Sequence, residues 1–172
     1  MVLLYMKQEY VSRQEKILVK NELGKDLYLI SGKWGRIGDK LSLYSIDGDL
    51  LVEVKQIVLS LFPKFDIYTQ GKKIGSITKH RGLKDVYFKV TPLNWIVTGD
   101  FYNHNYTVNC KGKLIMEMTK AYTSFGDYYA LHIPESQHAP LCLCIALIVD
   151  NLTLTRLPQT EKKRVNRAIQ LI

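Results

Sequence analysis

At 172 residues the chain is long enough to bury a core as one domain without disulfide or metal staples. A formal net charge of +8 and a pI of about 9.3 suit anionic partners, membrane surfaces or nucleic acid, without choosing between them. Three cysteines, Cys110, Cys142 and Cys144, cannot all pair within the chain, which argues against a disulfide framework and for a reducing cytoplasm.

The opening Met1-Val2-Leu3-Leu4-Tyr5-Met6-Lys7 has no cationic residue before its apolar run and is too short for a signal sequence, so secretion is not expected. From Val2 to Ile133 one device repeats: a short β-rich run, a polar or glycine turn, and another run. The expected strands are 2–10, 16–21, 26–33, 39–45, 50–58, 64–70, 72–80, 85–91, 93–100, 103–110, 113–121 and 127–133. Asp47-Gly48-Asp49, Gln70-Gly71-Lys72 and Lys111-Gly112-Lys113 mark tight turns, where glycine supplies a positive φ. Alternation is cleanest at Leu50-Leu51-Val52-Glu53-Val54-Lys55, with Leu50, Val52 and Val54 on one face and Glu53 and Lys55 on the other. A shift of 64 residues lays Gly48, Leu50, Glu53 and Ser60 on Gly112, Leu114, Glu117 and Ser124. Two related meanders of this kind close naturally into one barrel, and a barrel of about a dozen strands is wide enough that its lumen must hold something.

Ala139-Pro140-Leu141-Cys142-Leu143-Cys144-Ile145-Ala146-Leu147-Ile148-Val149-Asp150-Asn151-Leu152 supplies the filling. It has no polar stripe at helical period and no charge before Asp150, so it is a helix buried on every side. A bilayer span needs roughly 20 such residues, so a core helix is expected rather than a membrane crossing. Pro140 suits the first helical turn, where its missing N–H has no partner to lose. The expected architecture is mainly β: a closed twelve-stranded antiparallel barrel over 1–152, enclosing a central hydrophobic helix at 139–152. A basic C-terminal extension follows at 153–172, helical from Thr160. Its Arg156, Lys162, Lys163, Arg164 and Arg167 against Glu161 give it +4, half of the chain's net charge. Val165, Ala168, Ile169 and Ile172 form its apolar stripe, and these five cations are the candidate anion- or lipid-binding residues.

Catalytic patterns are lacking. Cys142-x-Cys144 does not have zinc or redox spacing, and i, i+2 on a helix sends the two thiols to different sides. His80, His104, His132 and His138 are scattered, and no H-x-x-x-H, G-x-S-x-G or Cys/His nucleophile context occurs. Asp47-Gly48-Asp49 and Gly99-Asp100 lack the ligand spacing of an EF-hand and read as hairpin corners. No enzyme, no metal and no cofactor is expected. Nucleic acid is disfavoured too, because the basic extension carries no aromatic residue for stacking.

Asn94-Trp95-Ile96-Val97-Thr98-Gly99-Asp100-Phe101, then Tyr106-Thr107-Val108, then Ser124-Phe125-Gly126-Asp127-Tyr128-Tyr129-Ala130-Leu131 and the apolar helix together resemble the bacterial branch of the LURP-one-related family. Ser60-Leu61-Phe62-Pro63-Lys64-Phe65-Asp66-Ile67-Tyr68 fits the same pattern in the first half. That family's domain is similar to the tubby C-terminal domain and to the phospholipid scramblases, and the resemblance implies a twelve-stranded barrel threaded by a hydrophobic helix. Tubby-like domains bind phosphoinositide headgroups through basic residues on the barrel, but no motif here maps those residues onto particular positions. The scramblases' calcium segment is also absent. The expectation is a non-enzymatic, cytoplasmic barrel that docks on anionic lipid, peripherally at a membrane, or on another anionic partner. The alternative is a carrier of a small hydrophobic ligand or a regulatory protein-interaction module.

Overall fold

A strand sends alternate side chains to opposite faces, so twelve alternating strands curled round one helix put every second residue into a shared interior. The computed structural model describes residues 1–7, 15–32, 40–82, 85–123 and 126–154. Its strands are β1 (Val2–Lys7), β2 (Glu15–Asn21), β3 (Asp26–Gly32), β4 (Lys40–Ser45), β5 (Leu50–Ile57) and β6 (Lys64–Thr69). They continue as β7 (Lys72–Arg81), β8 (Val86–Thr91), β9 (Trp95–Asp100), β10 (Asn105–Cys110), β11 (Lys113–Thr123) and β12 (Gly126–Ile133). A single 3₁₀ turn, Ser136–His138, leads into α1 (Ala139–Leu154). Each strand pairs antiparallel with its sequence neighbour, and β1 pairs with β12, Leu4 opposite Leu131, to close the barrel. The expected mainly β barrel, with its twelve strands and its buried helix, is what the chain builds.

Register carries one apolar layer round the whole wall. Leu4 and Met6 face the lumen beside Leu131 and Tyr129; Leu43, Val52, Ile67, Ile77, Val90, Val97, Val108 and Met116 continue it, all buried. Against this layer lies α1, whose Cys142, Leu143, Cys144, Ile145, Ala146, Ile148 and Val149 are all fully buried. Full burial of side chains such as Leu143 and Ile145 stabilises by about 1.5–3 kcal/mol each, and a helix can deliver it without exposing polar backbone because its own hydrogen bonds are internal. The outer wall is wet by contrast, with ion pairs Lys20–Asp26 at 2.6 Å, Lys73–Asp66 at 2.6 Å and Lys40–Glu53. A lipid-facing barrel carries the opposite arrangement, apolar outside and polar within.

The 64-residue repeat is structural. On β5 the pairing passes from Val52 to Leu50 and skips Leu51; on β11 it passes from Met116 to Leu114 and skips Ile115. Leu51 and Ile115 are therefore the extra residues of two equivalent bulges, which bend the wall at corresponding points of the two halves.

Left-handed backbone moves strand boundaries from expectation at three turns. Gln70 follows β6 rather than ending it, Leu93 and Asn94 precede β9 rather than opening it, and Asn103 and His104 precede β10, because Gln70 (φ +50°), Asn94 (φ +57°) and His104 (φ +53°) take left-handed backbone that no strand accommodates. The helix runs two residues past the expected Leu152, to Leu154. Residues 8–10, expected as the end of the first strand, and the whole extension from 155 lie outside the described residues.

The two barrel ends differ. The entry end holds the tight turns after β2, β4, β6, β8 and β10, and there His138 lies edge-on to Trp95 at 5.1 Å as the chain enters the lumen. The exit end holds the β5–β6 loop and the β9–β10 turn, and there the last turns of α1 emerge.

Replacing Leu143 by Ala removes a fully buried side chain and is expected to lower stability by about 2–5 kcal/mol in denaturant titration. Leu143→Asp should yield no soluble folded protein, because an unpaired charge in an apolar lumen cannot be solvated. A soluble Leu143→Asp variant that melts cooperatively would contradict a structural role for the helix.

Candidate functional site

An α-helix ends with backbone carbonyls that lack intrahelical partners and with a partial negative charge. At the exit end those groups lie inside the barrel mouth, where water cannot fully serve them, and the wall supplies donors. Alternation along β7 turns Lys79 inward, opposite Phe88. Its buried Nζ donates to the Leu152 carbonyl at 3.4 Å and lies 5.4 Å from the centre of the Phe88 ring. On β11, Lys120 occupies an equivalent inward register position opposite Tyr129. Deeper in the lumen, Tyr106 Oη donates to the Ala146 carbonyl at 3.3 Å.

Asp150 is the first charge on the helix. Tyr129 Oη donates to its Oδ1 at 3.0 Å, and His104 Nδ1 lies 3.0 Å from the same oxygen. The histidine makes no hydrogen bond there, and the contact is one of proximity. His104 is positioned by the β9–β10 turn. Asp100 Oδ1 accepts the backbone N–H groups of Tyr102 and Asn103, both at 3.1 Å, and the positive φ of His104 turns its ring back over Tyr129, with centroids 4.8 Å apart. Gly99 allows this corner to close. Its φ is +141°, and a Cβ there would meet Tyr106 Cα at 2.5 Å.

This cluster locks the helix into the wall. Asp150, His104 and Tyr129 bring an acid, a base and a hydroxyl together, yet His104 is buried and no serine or cysteine nucleophile touches the group in these contacts. Among the described residues no set of three or more His, Cys, Asp or Glu side chains is arranged to hold a metal. Asp47-Gly48-Asp49 and Gly99-Asp100 are hairpin corners, as their sequence indicates: Ser45 N–H donates to the Asp49 carbonyl at 2.8 Å, and Asp100 organises its own turn. The proximity of His104 to Asp150 escapes sequence reading because it joins a turn to a helix through the closed barrel.

Burial governs the titrating groups of the lumen. It pushes the Cys142 thiol up to about 12 and the Cys144 thiol higher still, with Cys142 adding to the latter. The Tyr106 phenol is raised well above its usual range by burial first and by the Asp150 charge second. Cys110 is a half-buried free thiol near the entry end.

The β5–β6 loop projects at the exit end. The loop between β5 and β6 reads Val58-Leu59-Ser60-Leu61-Phe62-Pro63, and its Leu59 and Leu61 are 98 % and 99 % exposed. The sequence candidates Arg156, Lys162, Lys163, Arg164 and Arg167 lie outside the described residues. No helix among the described residues is long and apolar enough to cross a membrane.

Comparison with known proteins covers nearly the whole barrel. The family model described as LURP-one-related matches residues 2–150. A protein of Bacillus subtilis (strain 168), titled uncharacterized protein YxjI, is 27% identical over 150 residues, spanning 87% of this chain and 93% of its own. A crystal structure of an Arabidopsis thaliana protein shares the fold with a TM-score of 0.56 at 12% identity, covering 87% of this chain and 91% of that one.

Two outcomes test the lumen. Under native conditions at about pH 8 a thiol reagent should modify Cys110 alone, with Cys142 and Cys144 reacting only after denaturation, since the thiolate is the reactive form; fast native labelling of either helix cysteine would contradict a filled lumen. Because Cys142, Cys144 and Tyr106 all have folded values raised above their unfolded ones, their contribution is complete below about pH 9 and is lost as pH rises. Melting temperature should therefore fall above that pH, and Cys142→Ala combined with Cys144→Ala should move the onset of the fall upward. An onset unchanged in the double variant would count against burial of the thiols.

Proposed function

The chain belongs to the LURP-one-related family, and from the barrel it builds we propose that it is a non-enzymatic module docking on anionic membrane surfaces from the cytoplasm. The observation carrying this reading is where the charge lies. Of the net +8, the segment 153–172 holds half, and it follows in sequence on α1, which ends at Leu154. Arg156, Lys162, Lys163, Arg164 and Arg167 are the proposed headgroup contacts, each contributing about 1 kcal/mol near an anionic leaflet. Three free thiols suit a reducing cytoplasm. The carrier alternative is the weaker reading, because the lumen that would hold a small hydrophobic ligand is filled by α1.

Co-sedimentation with phosphatidylserine-containing vesicles, but not with phosphatidylcholine alone, is the expected result, weakening as salt screens the charges. Truncation after Leu154 should leave a cooperatively melting barrel and abolish sedimentation. Unaltered vesicle binding with a lowered melting temperature would show instead that the extension packs on the barrel wall.

A further inference from the structure

Exposed apolar side chains are ordinary when scattered, and at the entry end Leu23, Ile46 and Leu93 occur one to a turn. The β5–β6 loop is different. Val58, Leu59, Leu61 and Phe62 are exposed together at 50 %, 98 %, 99 % and 55 %, broken only by Ser60. Their neighbours do not account for this. The loop's far stem is fixed, since the Pro63 carbonyl accepts the Lys79 N–H at 3.1 Å, so the tip projects from an anchored base. We propose that residues 58–63 form a lipid-insertion loop, with Leu59, Leu61 and Phe62 entering the acyl region of an anionic bilayer while the stem remains at headgroup level; this deepens, and rests on, the membrane-docking reading above.

Three features select a bilayer as the occupant. A side chain that is 98 or 99 % exposed touches almost nothing of its own protein, and a fluid apolar phase can surround such a side chain on every side without a matching pocket. Cations stand near the base as well: Lys55 and Lys64 lie on the two stems and Lys40 opposite Lys55 across the β4–β5 pair, with Glu53 paired to Lys40 and 4.0 Å from Lys55. These cations sit where headgroup phosphates would lie if the tip were immersed. Finally, the same end carries a second exposed aromatic, Tyr102 at 70 %, in the β9–β10 turn, and amphipathic rings favour the membrane interface. The loop and the last turns of α1 lie at the same end of the barrel, and reversible anchoring needs apolar insertion and charge attraction together.

The test uses the full chain. Leu61→Cys in a Cys110→Ser background, labelled with nitrobenzoxadiazole, should brighten and shift to the blue on phosphatidylserine vesicles and be quenched by lipids spin-labelled on the acyl chain. Leu59→Ser combined with Leu61→Ser should lower the vesicle partition coefficient by at least about tenfold while keeping its salt dependence and the melting temperature. Sedimentation of the wild type with no probe response, and a double variant that partitions like the wild type, would overturn insertion while leaving membrane docking intact. Failure of the wild type to bind anionic vesicles at all would remove both readings. A probe already blue-shifted without vesicles would show the loop covered by the chain's own extension or by a second copy, and would likewise overturn insertion.

Discussion

Everything in this fold follows from enclosing a helix that has no polar side. α1 cannot rest on a surface, because any exposed face would present apolar residues to water; it must be surrounded. A barrel of twelve strands has the complementary problem, since its wall residues alone do not fill its lumen. Each element thus supplies what the other lacks, and neither half of the repeat could do so alone. The paired bulges at Leu51 and Ile115 belong to the same constraint, bending the wall where a round enclosure needs curvature.

Polar groups enter this interior mostly where the helix ends. Along 142–149 the side chains are apolar or thiol and the wall adds the Tyr106 hydroxyl on the Ala146 carbonyl, whereas at the exit the orphan carbonyls and Asp150 require partners. Lys79 and Tyr129 provide them from two different strands, with His104 added from a turn. The result divides labour between the two ends. Tight turns finish the entry end, while the exit end combines the apolar β5–β6 loop, the β9–β10 turn and the last turns of α1. Loops carried on a rigid scaffold are the usual place for recognition.

Much of the fold is legible in the sequence because its signals are local. Alternation at Val52 to Lys55 marks a half-buried strand, although the bulge at Leu51 takes Leu50 off the expected buried face; glycines 48, 71 and 112 mark turns with positive φ, and the unbroken apolar run after Pro140 can only be interior. Boundaries slip where a non-glycine residue adopts left-handed backbone, as at Asn94 and His104, since neither residue announces that choice. The contacts of Asp150 are not legible, because Tyr129 is 21 residues away and His104 farther, and only closure of the barrel brings them together. The sequence places 59–63 between two strands, but its apolar composition does not reveal exposure, and only the finished wall shows that Leu59 and Leu61 point away from it. The extension's charge and apolar stripe are evident from composition, which says nothing about the surface they meet.

Amide hydrogen exchange on the native protein tests the dependence of barrel and helix most directly. If each is the other's core, the amides of Leu143, Ile145 and Ile148 open only with the whole molecule, at the same free energy as the slowest amides of β1, β11 and β12 and with the same denaturant dependence. Exchange of those helix amides through a smaller opening, several kcal/mol below that of the strands, would mean that the barrel persists without its filling, and would contradict the account.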